Sequence, residues 1–253
     1  MKLDGIAALV TGGGSGLGAE TARRLAGGGA RVAVLDLNAD AARAVAQSIG
    51  GAAVRCDVTD AAGMEAALAE ARAAHGPARI LVNCAGIGVA GRVSTRNGPM
   101  PLADFARVIN VNLIGTFNAI RLAAADMVGL EPLADGERGV IVSTASVAAY
   151  EGQLGQAAYA ASKGGIVSMT LPIARELAQF GVRVLAIAPG IFHTPMLGNL
   201  PQDIQESLAA SVPFPKRLGT AADYAALVAH CVENGYLNGE TIRLDGALRL
   251  PPR

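Results

Sequence analysis

The sequence predicts an α/β fold: one domain built from repeated βα units around a parallel, doubly wound sheet. Three observations predict it. Short β-branched runs alternate along the 253 residues with longer Ala-rich segments of helical period. The strand-like runs are continuously apolar rather than alternating, as expected when helices cover both faces of a sheet. The first of them leads straight into a glycine-rich turn, Thr11-Gly12-Gly13-Gly14-Ser15-Gly16-Leu17-Gly18, which opens a helix.

In chain order, the apolar run Ile6 to Thr11 reads as a strand and the segment Gly16 to Gly27 as the helix after the glycine turn. Arg31 to Asp36 is a second apolar strand, followed by the Ala-rich helix Ala39 to Ile49. Ala52 to Cys56 and the helix Ala61 to Ala74 make the third unit, and Ile80 to Asn83 is the fourth strand. A long apolar helix spans Leu102 to Met127, then come the strand Gly139 to Thr144 and a second long helix, Gln156 to Gln179. Arg183 to Ala188 and Thr241 to Leu244 close the sheet, with a helix at Ala221 to Glu233 between them. No composition break marks a linker, so residues 1–253 read as a single domain. The stretch Gly190 to Pro215, with a short helix inside it, is too long for a simple connection and reads as a substrate-loop lid.

Composition narrows the function. Gly (32) and Ala (51) make up about a third of the chain, yet the glycines follow no three-residue period, which excludes collagen-like and low-complexity readings. The 21 basic and 21 acidic residues cancel, so binding of nucleic acid through phosphates is not expected. Cys56, Cys84 and Cys231 form no CxxC and no disulfide framework, which points to a reducing compartment. The first ten residues carry no signal-peptide pattern, and no run of about 18 apolar residues is expected to cross a membrane. The expected location is therefore the cytoplasm of a bacterium. No His, Cys, Asp or Glu cluster has metal-ligand spacing.

The glycine turn lets the backbone approach a pyrophosphate, whose charge a helix N-terminus favours. A plain flexible turn is the competing reading; a strand before it and a helix after it favour the dinucleotide. Asp36 ends the second strand, 18 residues past Gly18, where a carboxylate can bind ribose hydroxyls and repel a 2'-phosphate. Neither Leu37 nor Ser15 supplies a cation for such a phosphate, so NAD is expected over NADP. Asp57-Val58 and Asn83-Cys84-Ala85-Gly86 follow the third and fourth strands, at the same edge of the sheet.

Tyr159 and Lys163 are spaced i, i+4 on a helix and share a face. Ser146 follows the strand before that helix, 13 residues ahead of the tyrosine. A neighbouring ammonium, helped by a positive nicotinamide ring, is expected to favour the Tyr159 phenolate, an acid/base for alcohol and ketone. Ser146 would bond the reacting oxygen; its competing role is a helix cap.

Together these motifs resemble the short-chain dehydrogenase/reductase family over essentially the whole chain: TGGGSGLG at 11–18, NCAG at 83–86, Ser146, YAASK at 159–163 and PGIFHT at 189–194. The resemblance implies a Rossmann fold with seven parallel strands. It also implies a tetrad in which Asn112 joins Ser146, Tyr159 and Lys163 and holds a proton-relay water. From the residues alone, Asn112 is only a polar residue in an apolar helix. The family's usual NNAG is NCAG here, so Cys84 is expected to act through its backbone. Within the family the stretches at 146–196, 212–219 and 237–249 are similar to the subgroup that oxidises 3-hydroxyacyl-CoA thioesters in fatty-acid and branched-chain amino-acid breakdown.

That similarity implies cofactor contacts at Gly12, Ser15, Gly16, Leu17, Gly18, Asp36, Asp57, Val58, Asn83, Cys84, Ala85, Gly86, Tyr159, Lys163, Pro189, Gly190, Phe192 and Thr194. Substrate contacts are expected from Ser146, Gln153, Gln156 and Tyr159, with Phe192, His193, Met196 and Leu197 near the acyl pocket. Arg92 and Arg96 either meet coenzyme A phosphates or are ordinary loop arginines. The family's homotetramers imply the same assembly, with the long helices paired between subunits. Alternatives left open are a hydroxysteroid dehydrogenase, a 3-oxoacyl carrier protein reductase and, from another class, a scaffold subunit of an RNA-processing complex.

Overall fold

In the computed structural model, which describes residues 1–193 and 201–252, seven parallel strands form the central sheet in the order β3-β2-β1-β4-β7-β8-β9. These are β1 (Ala7–Thr11), β2 (Arg31–Asp36), β3 (Ala52–Arg55), β4 (Ile80–Asn83), β7 (Gly139–Thr144), β8 (Val182–Pro189) and β9 (Thr241–Leu244). The remaining two strands, β5 (Ser94–Thr95) and β6 (Gly98–Pro99), form a separate antiparallel hairpin. The helices are α1 (Gly16–Gly27), α2 (Ala39–Ile49), α3 (Ala61–His75), α4 (Leu102–Ile109), α5 (Gly115–Val128), α6 (Ala157–Ala178), α7 (Gln202–Ser211) and α8 (Ala221–Glu233).

The chain begins in the middle of the sheet at β1, winds outward through β2 and β3, then crosses back to β4 and winds the other way. The loops after β1 and β4 therefore diverge, and a crevice opens at the carboxyl ends of these two strands. Register lines those ends up: Thr11 pairs with Asn83, and Asn83 with Ser143.

Side chains alternate across the sheet, as strand geometry requires. Ala8, Val10, Val32, Val34, Val82, Val142 and Ile187 pack on one face with Ala19, Ala22 and Leu25 of α1 and Tyr224 and Val228 of α8. Ala7, Leu9, Leu35, Leu81, Ile141 and Val184 face the opposite way, onto Met64 and Leu68 of α3 and Ala119, Ala123 and Met127 of α5. Both faces are buried, so the strands read as unbroken apolar runs.

Local signals set several helix starts. Asn38 caps α2 through Asp40 N and Ala41 N (both 3.1 Å), Asp60 caps α3, and Thr220 forms a reciprocal capping box with Asp223 on α8.

The predicted helix Leu102 to Met127 is interrupted. It is α4 and α5 joined by a π-helical stretch, Asn110–Ile114, centred on buried Asn112. By length and mean hydropathy alone Leu102–Val128 could cross a bilayer, but it contains no unbroken run of 18 apolar residues, and half of its most apolar stretch is buried within the fold. Helix α7 supplies the short helix expected between Gly190 and Pro215; residues 194–200 of that stretch lie outside the described residues.

Candidate active site

The glycine turn between β1 and α1 is shaped by contacts that exclude side chains. Gly12 has φ +63°, and a Cβ on it would stand 2.6 Å from Ala85 N. A Cβ on Gly18 would stand 2.2 Å from the Gly12 carbonyl oxygen. The turn thus folds back on itself and lies against the Cys84-Ala85 backbone beyond β4.

Asp36, at the end of β2, fastens the turn. Its Oδ2 accepts from Gly14 N and its Oδ1 from Asn38 N, both at 2.9 Å. At the head of α1, Ser15 makes no side-chain cap bond and the first turn holds no acidic residue. The positive helix end and its N–H groups therefore remain available to an anion, and the residues fit a dinucleotide whose pyrophosphate sits there. Gly16 (φ +50°) and Leu17 belong to the same turn.

The other expected cofactor residues gather along the same sheet edge. The Asp57 carboxylate turns onto its own loop, accepting from Thr59 Oγ1 (2.7 Å) and Thr59 N (2.9 Å), and these bonds hold its pKa below the ordinary value. Val58 packs against α5, where a Cβ on Gly115 would stand 2.6 Å from its Cγ2. Pro189 ends β8, Gly190 lies against Asp245, and buried Phe192 pairs with Gly219. Thr194, Met196 and Leu197 lie outside the described residues.

The residues expected to do chemistry meet beside this edge. Lys163 is buried and donates from Nζ to the Thr144 carbonyl at 2.7 Å; its Nζ stands 5.7 Å from the centre of the Tyr159 ring. Of the two roles considered for Ser146, the cap is present: its Oγ accepts from Ala148 N (3.1 Å) at the short helical turn Val147–Ala149, and the same side chain lowers the pKa of the Tyr159 phenol, which places the two hydroxyls near each other.

Asn112 does something the sequence did not disclose. Its amide clasps Ile87, with Oδ1 accepting from Ile87 N (2.8 Å) and Nδ2 donating to Ile87 O (2.9 Å), and it donates to Ser162 Oγ (3.0 Å). The π-helical stretch places this amide where it can hold the loop after β4. Gly86 fits between the two polar groups: a Cβ on it would lie 3.2 Å from Asn112 Oδ1 and 3.6 Å from Lys163 Nζ.

In the protein alone, burial pushes the Tyr159 phenol up and Ser146 acts against it; the expected lowering calls on the positive nicotinamide ring as well as on Lys163. Lys163 is itself buried, and desolvation brings its own pKa down to about 8. The stability consequence has a definite sign. Between about 8 and the ordinary lysine value of 10.5, the unfolded chain holds a proton that the folded chain has released. Unfolding free energy from denaturant titrations should therefore rise with pH across that window in the wild type, relative to Lys163→Met.

Gln153 and Gln156 lie in the loop before α6. Gln156 Oε1 accepts from Gln153 N (3.0 Å), while Gln153 Nε2 donates to the Pro251 carbonyl (3.1 Å), so one side chain braces the loop and the other ties it to the C-terminal segment. Arg92 and Arg96 are exposed around the β5–β6 hairpin.

Sequence reasoning missed Tyr224 on α8. Fully buried, its hydroxyl bonds Thr144 Oγ1 (2.7 Å), which also bonds the Asn83 carbonyl (2.6 Å) and lies 3.6 Å from Cys84 Sγ. Asn83 itself donates to Ser143 (3.2 Å). Burial raises the Cys84 thiol pKa, in keeping with a backbone role for this residue. A buried hydroxyl in an otherwise apolar helix face was the available signal. Among the described residues, no group of His, Cys, Asp or Glu is arranged to hold a metal ion.

Comparison with known proteins matches the same regions. The family model for short chain dehydrogenases matches residues 6–205. The chain is 55% identical to bovine (Bos taurus) 3-hydroxyacyl-CoA dehydrogenase type-2, over 99% of this chain and 98% of that protein. It is 54% identical to the human (Homo sapiens) protein of the same name, with the same coverage. Among solved structures, 3-hydroxyacyl-CoA dehydrogenase type-2 from Mycobacterium avium superposes with a TM-score of 0.95 at 43% identity, covering 98% of each chain.

Proposed function

Since the chain belongs to the short-chain dehydrogenase family, we propose that it catalyses the reversible, NAD-dependent oxidation of the 3-hydroxyl of short or branched 3-hydroxyacyl-CoA thioesters to 3-oxoacyl-CoA. The observation that carries this reading is the meeting of Ser146, Tyr159 and Lys163 beside a dinucleotide-shaped glycine turn, in a chain whose relatives carry that activity in their names.

The bound dinucleotide supplies the hydride acceptor. Gly12, Ser15, Gly16, Leu17 and Gly18 would hold its pyrophosphate, Asp36 its adenosine ribose, and Asp57, Val58, Cys84 and Ala85 the walls around it. In the oxidation direction, hydride leaves C3 of the substrate while the hydroxyl proton passes to the Tyr159 oxygen. Ser146 hydrogen-bonds the reacting oxygen, and Lys163 positions the reacting end of the site from the Thr144 carbonyl. Asn112 keeps the loop after β4 in register with Lys163. The stretch 190–215 serves as the substrate loop.

Other features extend the reading. Three free thiols, Cys56, Cys84 and Cys231, suit a reducing compartment such as the cytoplasm. Ile114, Phe117 and Leu171 are exposed on the long helices, which supports association of like subunits into the homotetramer.

One assay tests both substrate and cofactor: reduction of acetoacetyl-CoA followed by loss of NADH or NADPH absorbance. Turnover is expected with NADH, with a preference of about 100-fold over NADPH, because a 2'-phosphate would face the Asp36 carboxylate. Asp36→Asn keeps an acceptor for ribose but removes the charge, and should shrink that preference to about tenfold or less. Absence of turnover with acetoacetyl-CoA across a broad pH range refutes the substrate, and equal use of both cofactors refutes the role of Asp36.

A further inference from the structure

Glu151 lies between the two ends of the site, five residues past Ser146 and eight before Tyr159, at the start of the loop Gly152–Gln156. Its side chain forms a cluster of four charges with Arg243, Asp245 and Arg249. Arg243, on edge strand β9, grips it in a fork, Nη1 at 2.9 Å and Nη2 at 3.1 Å. The same guanidinium donates from Nε to Asp245 Oδ2 (2.7 Å) and from Nη2 to the Leu248 carbonyl (3.2 Å), and covers the Tyr150 ring at 5.1 Å. Arg249 bridges both acids, 3.4 Å from Glu151 and 3.1 Å from Asp245.

The cluster holds the end of the chain. Leu250 N donates to Glu151 Oε2 (3.1 Å), Gln153 Nε2 to the Pro251 carbonyl (3.1 Å), and Leu154 N to the Pro252 carbonyl (3.1 Å). On its other side the loop accepts from Gly91 N at the Gly155 carbonyl (2.8 Å).

We propose that Glu151 is a positioning residue, which through Arg243 and the C-terminal strap Arg249–Pro252 clamps the Gly152–Gln156 loop as a fixed wall of the substrate pocket. The substrate part of this inference rests on the function proposed above; the clamp itself does not. A surface pair alone would contribute little, but here a bidentate arginine, a second arginine and a backbone N–H converge on one carboxylate that is only 21% exposed. The loop has no regular secondary structure of its own between the turn at Val147–Ala149 and α6. Its shape is therefore set by what holds it from outside.

Two variants test the clamp. Glu151→Gln keeps the side-chain shape and removes the charge; deletion of residues 250–253 removes the strap beyond Arg249, with its bonds to Glu151, Gln153 and Leu154, and leaves the Glu151–Arg243 pair. Each should raise KM for acetoacetyl-CoA by about tenfold, the loss of one charged hydrogen-bond set, with kcat and the NADH dissociation constant changed less than about twofold. Combining them should add little, because both act on one loop.

Hydrogen exchange read on the peptide containing Leu154 supplies a measurement independent of substrate: exchange there should accelerate by about tenfold in either variant and stay unchanged in peptides of β1 and β4. Unchanged exchange at Leu154 overturns the clamp whatever the kinetics show. Equal loss of NADH binding and acetoacetyl-CoA binding also overturns it, since that marks general destabilisation. If the wild type does not reduce acetoacetyl-CoA, the substrate reading fails, and the exchange measurement still decides the clamp.

Discussion

Tyr159→Phe should reduce turnover of acetoacetyl-CoA by about a thousandfold or more while NADH still binds with a dissociation constant within about threefold of the wild type. The substitution removes one oxygen and leaves the ring. In the proposed reaction that oxygen is the hydroxyl that exchanges a proton with the substrate, beside Ser146. Ring packing, the Lys163 bond to the Thr144 carbonyl and the glycine turn do not depend on it.

The pH dependence strengthens the test. Because burial holds the phenol above its ordinary value, oxidation of a 3-hydroxyacyl-CoA needs the minor, deprotonated form and should quicken as pH rises from neutrality. Reduction uses the protonated form, already dominant near neutral pH, and should not share that rise. Stopped-flow measurement of both directions, together with NADH titration by fluorescence, checks the prediction. Retention of more than about a tenth of wild-type turnover in the phenylalanine variant would exclude Tyr159 as the acid/base.

The second large effect is expected at Gly12. Gly12→Ala places a methyl 2.6 Å from Ala85 N and 2.7 Å from Ala85 Cα, both backbone atoms that no rotamer change can move. The residue must also adopt φ +63°, a conformation that costs alanine about 1 kcal/mol or more before any clash is counted. The β1–α1 turn and the Cys84-Ala85 loop would have to separate, opening the wall of the dinucleotide site. NADH affinity should fall by about 100-fold, and the thermal midpoint should drop and lose most of its increase on adding NADH. Differential scanning fluorimetry with and without NADH reads both effects; an unchanged NADH-dependent increase would show that the close approach at Gly12 is dispensable.

Much of the fold was legible because its signals are local. Helices at Gly16–Gly27, Ala39–Ile49 and Ala221–Glu233, and the strands Arg31–Asp36, Ile80–Asn83, Gly139–Thr144 and Thr241–Leu244, have the bounds that apolar runs and caps suggest. Other ends moved by a residue or two, as at β8, which extends to Val182 and Pro189. The parallel order followed from strands buried on both faces. The β5–β6 hairpin has no counterpart among the elements expected from the sequence, because two-residue strands are too short to show a period.

The site was legible where chemistry constrains spacing. A glycine turn between strand and helix, an acid at the end of the next strand, and Tyr and Lys one helical turn apart each announce a geometry along a single segment. The tyrosine's electrostatics were not legible, since a neighbouring lysine in sequence says nothing of how deeply both groups are buried. Burial brings the Lys163 pKa down to about 8 and pushes the Tyr159 phenol up.

By itself, then, the sequence determined the order of the elements, the glycine turn between β1 and α1 and the residues proposed to react, because helical period, strand burial and backbone freedom at glycine act over a few neighbouring residues. Only the tertiary structure decided how those residues are held. It brought Asn112 onto Ile87, Tyr224 onto Thr144, and Arg243 onto Glu151 across 92 positions of chain. Such pairs leave no periodic trace. They form because buried or half-buried polar groups must find partners, and the folded sheet alone determines which partners are within reach.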